Sequence, residues 1–162
     1  MLIHKAAIGG GVGLVSVCDI VLASEETQFS LSEVRLGIIP ACIGPFVIAK
    51  IGPSFSRELF ISAERFSAHR AKEIGLVHRV FPDLSSLESG IVSLIKHILE
   101  AGPNAVSVAK RLILELSWPE KRTQNTDYLE YVSRTLAEVR VSEEGQEGVR
   151  AFLEKRKPKW LA

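Results

Sequence analysis

Three glycines in a row, Gly9-Gly10-Gly11, separate the apolar stretch Ala6-Ala7-Ile8 from a short run of helix formers, Val12 to Cys18. Glycines at such a junction let a ligand approach the backbone closely and present amide N–H groups to an anion or a developing oxyanion. Close packing of a strand against a helix accounts for the same run without any ligand. Glu33 follows about twenty residues later, after extended chain, and two chemistries could use it. In the first, Gly11-Val12-Gly13-Leu14-Val15-Ser16 approximates the G-x-G-x-x-G/A turn of a dinucleotide-binding unit. Ser16 is then the small third residue, and Glu33 meets a ribose hydroxyl. In the second, an amide of the glycine run stabilises an oxyanion and Glu33 transfers a proton. The dinucleotide reading needs alternating strands downstream, and the second half of this chain is helical in texture.

Other reactive residue types are more isolated. His4 and His69 have no partner at metal-ligand spacing, and no metal site is expected. Cys18, beside Asp19, reads as a small core residue, and Cys42 lies in a loop after Pro40. No serine, histidine and aspartate are spaced as a triad. The terminal Lys155-Arg156-Lys157-Pro158-Lys159-Trp160 is basic and aromatic, and a short charge run of this kind usually forms a solvated end.

The elements that must position these groups follow from hydrophobic pattern and punctuation. Residues 2–8 read as a buried strand, Val12 to Cys18 as a short helix, Asp19 to Ala23 as a second strand and Thr27 to Ser30 as a third. Pro40, Gly44 and Pro45 mark a loop before a helix to about Lys50, and Gly52-Pro53-Ser54 stops and restarts it. Ser67 is a candidate N-cap for a helix over Ala68–Ile74, with Gly75 just past its end. Leu76 to Phe81 reads as a strand closed by Pro82, and residues 84–101, 103–117, 120–141 and 143–155 as helices.

Composition bounds the function class. The chain has 162 residues, 46% of them hydrophobic, enough for one sizeable core. Twenty basic against nineteen acidic residues leave a charge of +1, which excludes the strongly basic footprint of a general nucleic-acid binder. Two cysteines are too few for a disulfide framework, and a cytoplasmic setting is the expectation. No stretch approaches the ~20 apolar residues of a membrane span.

Taken together in order, three groups of residues resemble the crotonase (enoyl-CoA hydratase/isomerase) superfamily. They are Ala6 to Leu14 with Cys18-Asp19-Ile20, then Phe29-Ser30-Leu31-Ser32-Glu33-Val34-Arg35-Leu36-Gly37-Ile38-Ile39-Pro40, and Ser67 to Val77 with Glu147 to Arg156. The resemblance implies an α/β fold, the ClpP/crotonase spiral of βα units, truncated at its N-terminus here. Residues 1–82 would be the C-terminal part of the βα core, and 83–162 a helical region for trimer or hexamer assembly.

The implied substrate is an acyl-CoA thioester, with CoA as part of the substrate and no separate cofactor. Gly10 matches an oxyanion amide, flanked by Gly9 and Gly11, and Pro40 follows in the substrate-binding region. Glu33 matches the second of two glutamates that hold a water in the family's hydratases. The position of the first is Gly13, a departure that removes one proton acceptor. Lys5 stands where the family usually has glycine. Phe152 and Lys155 match positions that contact the CoA of a neighbouring subunit. The wording around Gly11 to Leu14 and Leu31 to Gly37 is most similar to bacterial methylglutaconyl-CoA hydratases, which act in leucine breakdown. A chain that only binds CoA or assembles, without turnover, is the alternative expectation.

Overall fold

The computed structural model describes residues 1–117 and 128–161. The chain divides into two compact units, Met1–Ser93 and Leu94–Ala162. In the first unit six short strands form two three-stranded sheets. One holds β1 (Leu2–Ile3), β3 (Leu22–Ser24) and β6 (Arg79–Phe81), all parallel in that order. The other holds β2 (Ala6–Ile8), β4 (Gln28–Ser30) and β5 (Arg65–Ser67), with β2 parallel and β5 antiparallel to β4.

The single strand expected over residues 2–8 is thus two strands in different sheets. The break falls at His4 and Lys5, where Lys5 adopts a φ of 77° and turns the chain from one sheet to the next. That left-handed conformation costs a residue with a Cβ about 1–2 kcal/mol, and glycine almost nothing. His4 is held there by Glu26 (2.8 Å) and Ser24 (3.4 Å). His69 pairs with Glu25 at 3.0 Å. Strands β3 and β6 are also shorter than the pattern suggested, since the chain on either side turns to join its neighbours.

The helices of this unit cover one shared core. Helix α1 (Gly10–Ser16) begins two residues earlier than its apolar pattern, within the glycine run itself. Helix α2 (Gly44–Ser62) is interrupted at Gly52, with φ 78° and ψ 164°, so the stop and restart is real. Lys50 on α2 donates to the Cys18 carbonyl at 3.1 Å, and burial lowers its ammonium below the usual lysine range, against Cys18 and Asp19, which raise it. Helix α3 (Ala68–Glu73) is capped by the Ser67 hydroxyl, which accepts from Arg70 N–H at 3.2 Å. Val12, Val15, Phe29, Leu31, Val47, Leu59 and Leu76 meet in the core, and Phe29 and Phe66 stack at 5.6 Å.

Helix α4 (Leu84–Leu99) runs across the division between the units. The second unit then holds α5 (Pro103–Ser117), α6 (Tyr128–Val141) and α7 (Glu143–Leu153). The helix expected over 120–141 lies outside the described residues up to 127. Glu144 accepts from Asn104 and Ala105 N–H at 3.0 and 2.8 Å, so a carboxylate on α7 caps the start of α5.

The basic tail is not a loose solvated end, as its charge run suggested. Arg156 grips Glu147 through both terminal nitrogens (2.6 and 3.1 Å), Lys159 N–H donates to Glu147, and Trp160 Nε1 donates to the Glu100 carbonyl. These contacts fold the tail back on its own unit because a planar guanidinium matches a carboxylate at two points. Arg156 chiefly, and then the Lys159 amide, hold the Glu147 carboxyl down at about 2, against an ordinary 4.5. A carboxyl depressed in the folded state stabilises above its unfolded value and loses that contribution as pH falls through the folded one. Glu147→Gln is therefore expected to lower the melting temperature at pH 5–7, with the gap closing as the pH approaches 2. Thermal melts by circular dichroism across that range test this, and a gap independent of pH would contradict it.

Candidate functional site

The geometry of the glycine run begins with strand register. Strands β2 and β4 pair in parallel with Ile8 opposite Ser30, so the chain leaves both strands at the same end. Gly9 follows one and Leu31 to Glu33 follow the other. The Gly9 amide donates to the Ser30 carbonyl at 2.8 Å and ties the two exits together. Gly9 has φ 53° and ψ −120°, a combination that a side chain disfavours. Its carbonyl then receives the Val12 and Gly13 amides at 2.8 and 3.4 Å, which starts α1.

Glu33 opens a 3₁₀ turn, Glu33–Leu36, that ends on Gly37 at φ 71°. The turn bends the carboxylate toward the glycines: a Cβ at Gly9 would stand 3.2 Å from Glu33 Oε1. The other oxygen, Oε2, is buried and has no hydrogen-bond partner among the described residues. An orphaned buried acceptor costs about 1–3 kcal/mol, which a functional demand can justify. Of the apolar residues near it in sequence, Leu31 is buried, but Val34 and Leu36 are exposed, the latter by 77%. Glu33 itself is half-buried, with its carboxylate against the glycine turn.

Gly10 is the first residue of α1, so its N–H has no acceptor within the helix. No described heavy atom lies within 4 Å of where its Cβ would be. Packing therefore does not require glycine at this position, although glycine weakens a helix relative to alanine. Gly10→Ala is expected to raise stability slightly, by about 0.5 kcal/mol. Parallel thermal melts check this, and a lowered melting temperature would contradict it. Gly11 instead faces Ala7 Cβ at 3.7 Å, an ordinary contact.

Gly13 has a different reason to be glycine. A Cβ there would stand 2.7 Å from Ile43 Cβ and closer still to Ile43 Cγ2, so Ile43 fills the space above it. Sequence reading singled out Gly13 and missed Ile43. Only an unusual β-branched residue just before a helix hinted at it. Gly11 and Gly13 lie inside α1, and the Ser16 hydroxyl is turned back to the Val12 carbonyl at 2.8 Å. The dinucleotide turn needs these residues in a loop ahead of the helix, and the structure does not offer it.

Pro40 is buried and helps wall an apolar cavity of about 300 Å³ with Ile39, Ala41, Pro45, Ile48 and Phe60. Gly9, Gly10, Gly11, Glu33 and Pro40 all belong to the first unit. Phe152 and Lys155 belong to the second, at the end of α7. Phe152 is 82% exposed. Lys155 takes the left-handed place after the helix, with φ 53°, its amide on the Phe152 carbonyl and the Arg156 amide on that of Ala151. Glycine usually occupies this place. Among the described residues no group of three or more histidines, cysteines or carboxylates could hold a metal ion. No described helix is long and apolar enough to cross a membrane.

The family model described as enoyl-CoA hydratase/isomerase matches residues 2–162. A crystal structure of an enoyl-CoA hydratase from Shewanella pealeana superposes with a TM-score of 0.89 at 38% identity, covering 98% of this chain and 58% of that one. Pseudomonas aeruginosa AtuE superposes at 0.91 with 36% identity, covering 99% and 61%. The peroxisomal Delta(3,5)-Delta(2,4)-dienoyl-CoA isomerase of Arabidopsis thaliana is 35% identical over 160 residues, 98% of this chain and 56% of that protein. The chain therefore spans less than two thirds of the length of each of these relatives.

Proposed function

This chain belongs to the enoyl-CoA hydratase/isomerase family, and we propose that it adds water across the α,β double bond of an enoyl-CoA thioester. The observation that carries this reading is the Glu33 carboxylate against the glycine turn, with one buried oxygen left unpaired beside the open Gly10 amide. Water oxygen bonds to C3, the π pair moves into the thioester as an enolate, and a proton reaches C2. In this reading Gly10 N–H meets the charge that develops on the thioester oxygen, where a fixed donor gains most in the transition state. Glu33 takes the proton from water and returns one to C2.

The other proposed contacts extend from that centre. Gly9 and Gly11 shape the turn on either side of the oxyanion donor. Pro40 and the apolar cavity beside it are suited to part of the acyl group. Lys155 keeps a strained left-handed backbone where glycine would be easier, and a lysine there can pair with a phosphate of a neighbouring subunit's CoA while Phe152 packs on its acyl or adenine portion. Methylglutaconyl-CoA is the acyl group we favour, in leucine breakdown, by a cytoplasmic homotrimer or hexamer. No metal or redox cofactor enters this reaction.

Loss of the ultraviolet absorbance of an α,β-unsaturated acyl-CoA on adding the protein tests the reading. The second reading is a chain that binds CoA or assembles without turnover. The apolar Ile43 side chain over Gly13, where a proton acceptor could have stood, favours it. Acyl-CoA binding with flat absorbance would decide for that reading.

A further inference from the structure

We propose that Glu147 is a positioning residue for the CoA part of the substrate: through Arg156 it holds the turn at the end of α7 in the one shape that fixes Lys155. The inference rests on the reading that the Lys155 ammonium meets a phosphate of a neighbouring subunit's CoA.

The turn is an unusual one for a lysine. The Lys155 amide donates to the Phe152 carbonyl at 3.2 Å, and the Arg156 amide to the Ala151 carbonyl at 3.0 Å. That pair of bonds needs a left-handed residue just past the helix, and Lys155 supplies it at φ 53°. Glycine would close the same turn without strain. Strain of this kind persists only where the surroundings over-determine it, and it gathers at functional positions.

Glu147 supplies most of that constraint. Arg156 reaches both of its oxygens, at 2.6 and 3.1 Å, and Oε1 also accepts the Lys159 amide at 3.0 Å. A second anchor lies further along the tail. Trp160 Nε1 donates to the Glu100 carbonyl at 3.2 Å, and its ring lies over Gly148, where a Cβ would stand 3.0 Å from Cη2. The turn is thus tied at both ends, to the helix before it and to the tail after it.

The charges of the tail divide accordingly. Arg156 is engaged by Glu147 and Glu154. Lys155 is exposed, and its ammonium has no ion-pair or hydrogen-bond partner among the described residues. With the exposed Phe152 beside it, this helix end offers a cation and an apolar face together, which suits a nucleotide phosphate. Holding the Lys155 backbone removes part of the freedom that binding would otherwise cost.

The test titrates the chain with a CoA thioester and with the matching pantetheine thioester, which lacks the nucleotide phosphates. Glu147→Gln and Lys155→Gly are each expected to shrink the preference for the CoA thioester about fivefold. The double variant should lose no more than Lys155→Gly alone, because Glu147 acts through Lys155. Arg156→Lys keeps the charge but not the two-point grip, and should match Glu147→Gln. In thermal melts, Lys155→Gly should raise the melting temperature, by a margin at least halved once Glu147 is glutamine. Equal weakening of both thioesters, losses that multiply in the double variant, or the same gain in melting temperature in both backgrounds overturns the proposal. A preference for CoA that survives both Glu147→Gln and Arg156→Lys overturns it while the Lys155 reading stands. If the unaltered chain binds the CoA thioester no more tightly than the pantetheine thioester, both fall.

Discussion

Replacing Glu33 with glutamine is expected to lower kcat for enoyl-CoA hydration by about 10²–10⁴-fold with little change in acyl-CoA affinity. Glutamine keeps the size and planarity of the carboxylate but cannot take a proton from water. The backbone that places the residue does not depend on its charge: the turn is closed by the Gly37 and Ile38 amides on the Val34 and Glu33 carbonyls. The fold should not suffer either. Oε2 has no partner among the described residues, so the carboxylate stabilises little there. Melting should be unchanged or slightly raised, and steady-state rates with thioester titrations separate the two effects. Retained turnover would show that Glu33 is not the proton-transfer group.

Gly9→Ala is expected to damage fold and site together, by about 2–4 kcal/mol in stability and by loss of most turnover. Two independent costs meet at this residue. The backbone at φ 53° and ψ −120° is strained for any residue with a Cβ. That Cβ would then stand 3.2 Å from Glu33 Oε1, so the carboxylate must give way. Moving the turn instead would stretch the Gly9–Ser30 bond that joins β2 to β4. Denaturant unfolding measures the first cost, and kcat at saturating thioester the second. A stable, active alanine variant would mean that the turn is freer than its dihedrals imply.

Several elements were legible without coordinates because their signals are local. The Ser67 hydroxyl caps α3 through an amide three residues on, so the motif is contained in a few consecutive side chains. Gly52 and Pro53 interrupt α2 by their own backbone limits. The strand over residues 2–8 was misread for the complementary reason. Apolar pattern does not register a left-handed Lys5, and which sheet each half joins depends on partners at Leu22 and Phe29. The tail was misread as solvated because Arg156 and Glu147 are nine positions apart on opposite sides of a helix end.

By itself the sequence determined the glycine run, Glu33 as an acid/base candidate and the resemblance to the family, and that resemblance implies the missing acceptor at Gly13. The first two rest on residue type and spacing along the chain. Only the tertiary structure decided that Glu33 lies against Gly9, that its second oxygen is unpaired, and that Ile43 occupies the space over Gly13. Those facts depend on parallel strand register and on helix packing, which bring distant residues within a few ångströms. Spacing along a chain reports what chemistry is available; excluded volume and hydrogen-bond closure in three dimensions report which of it can be reached.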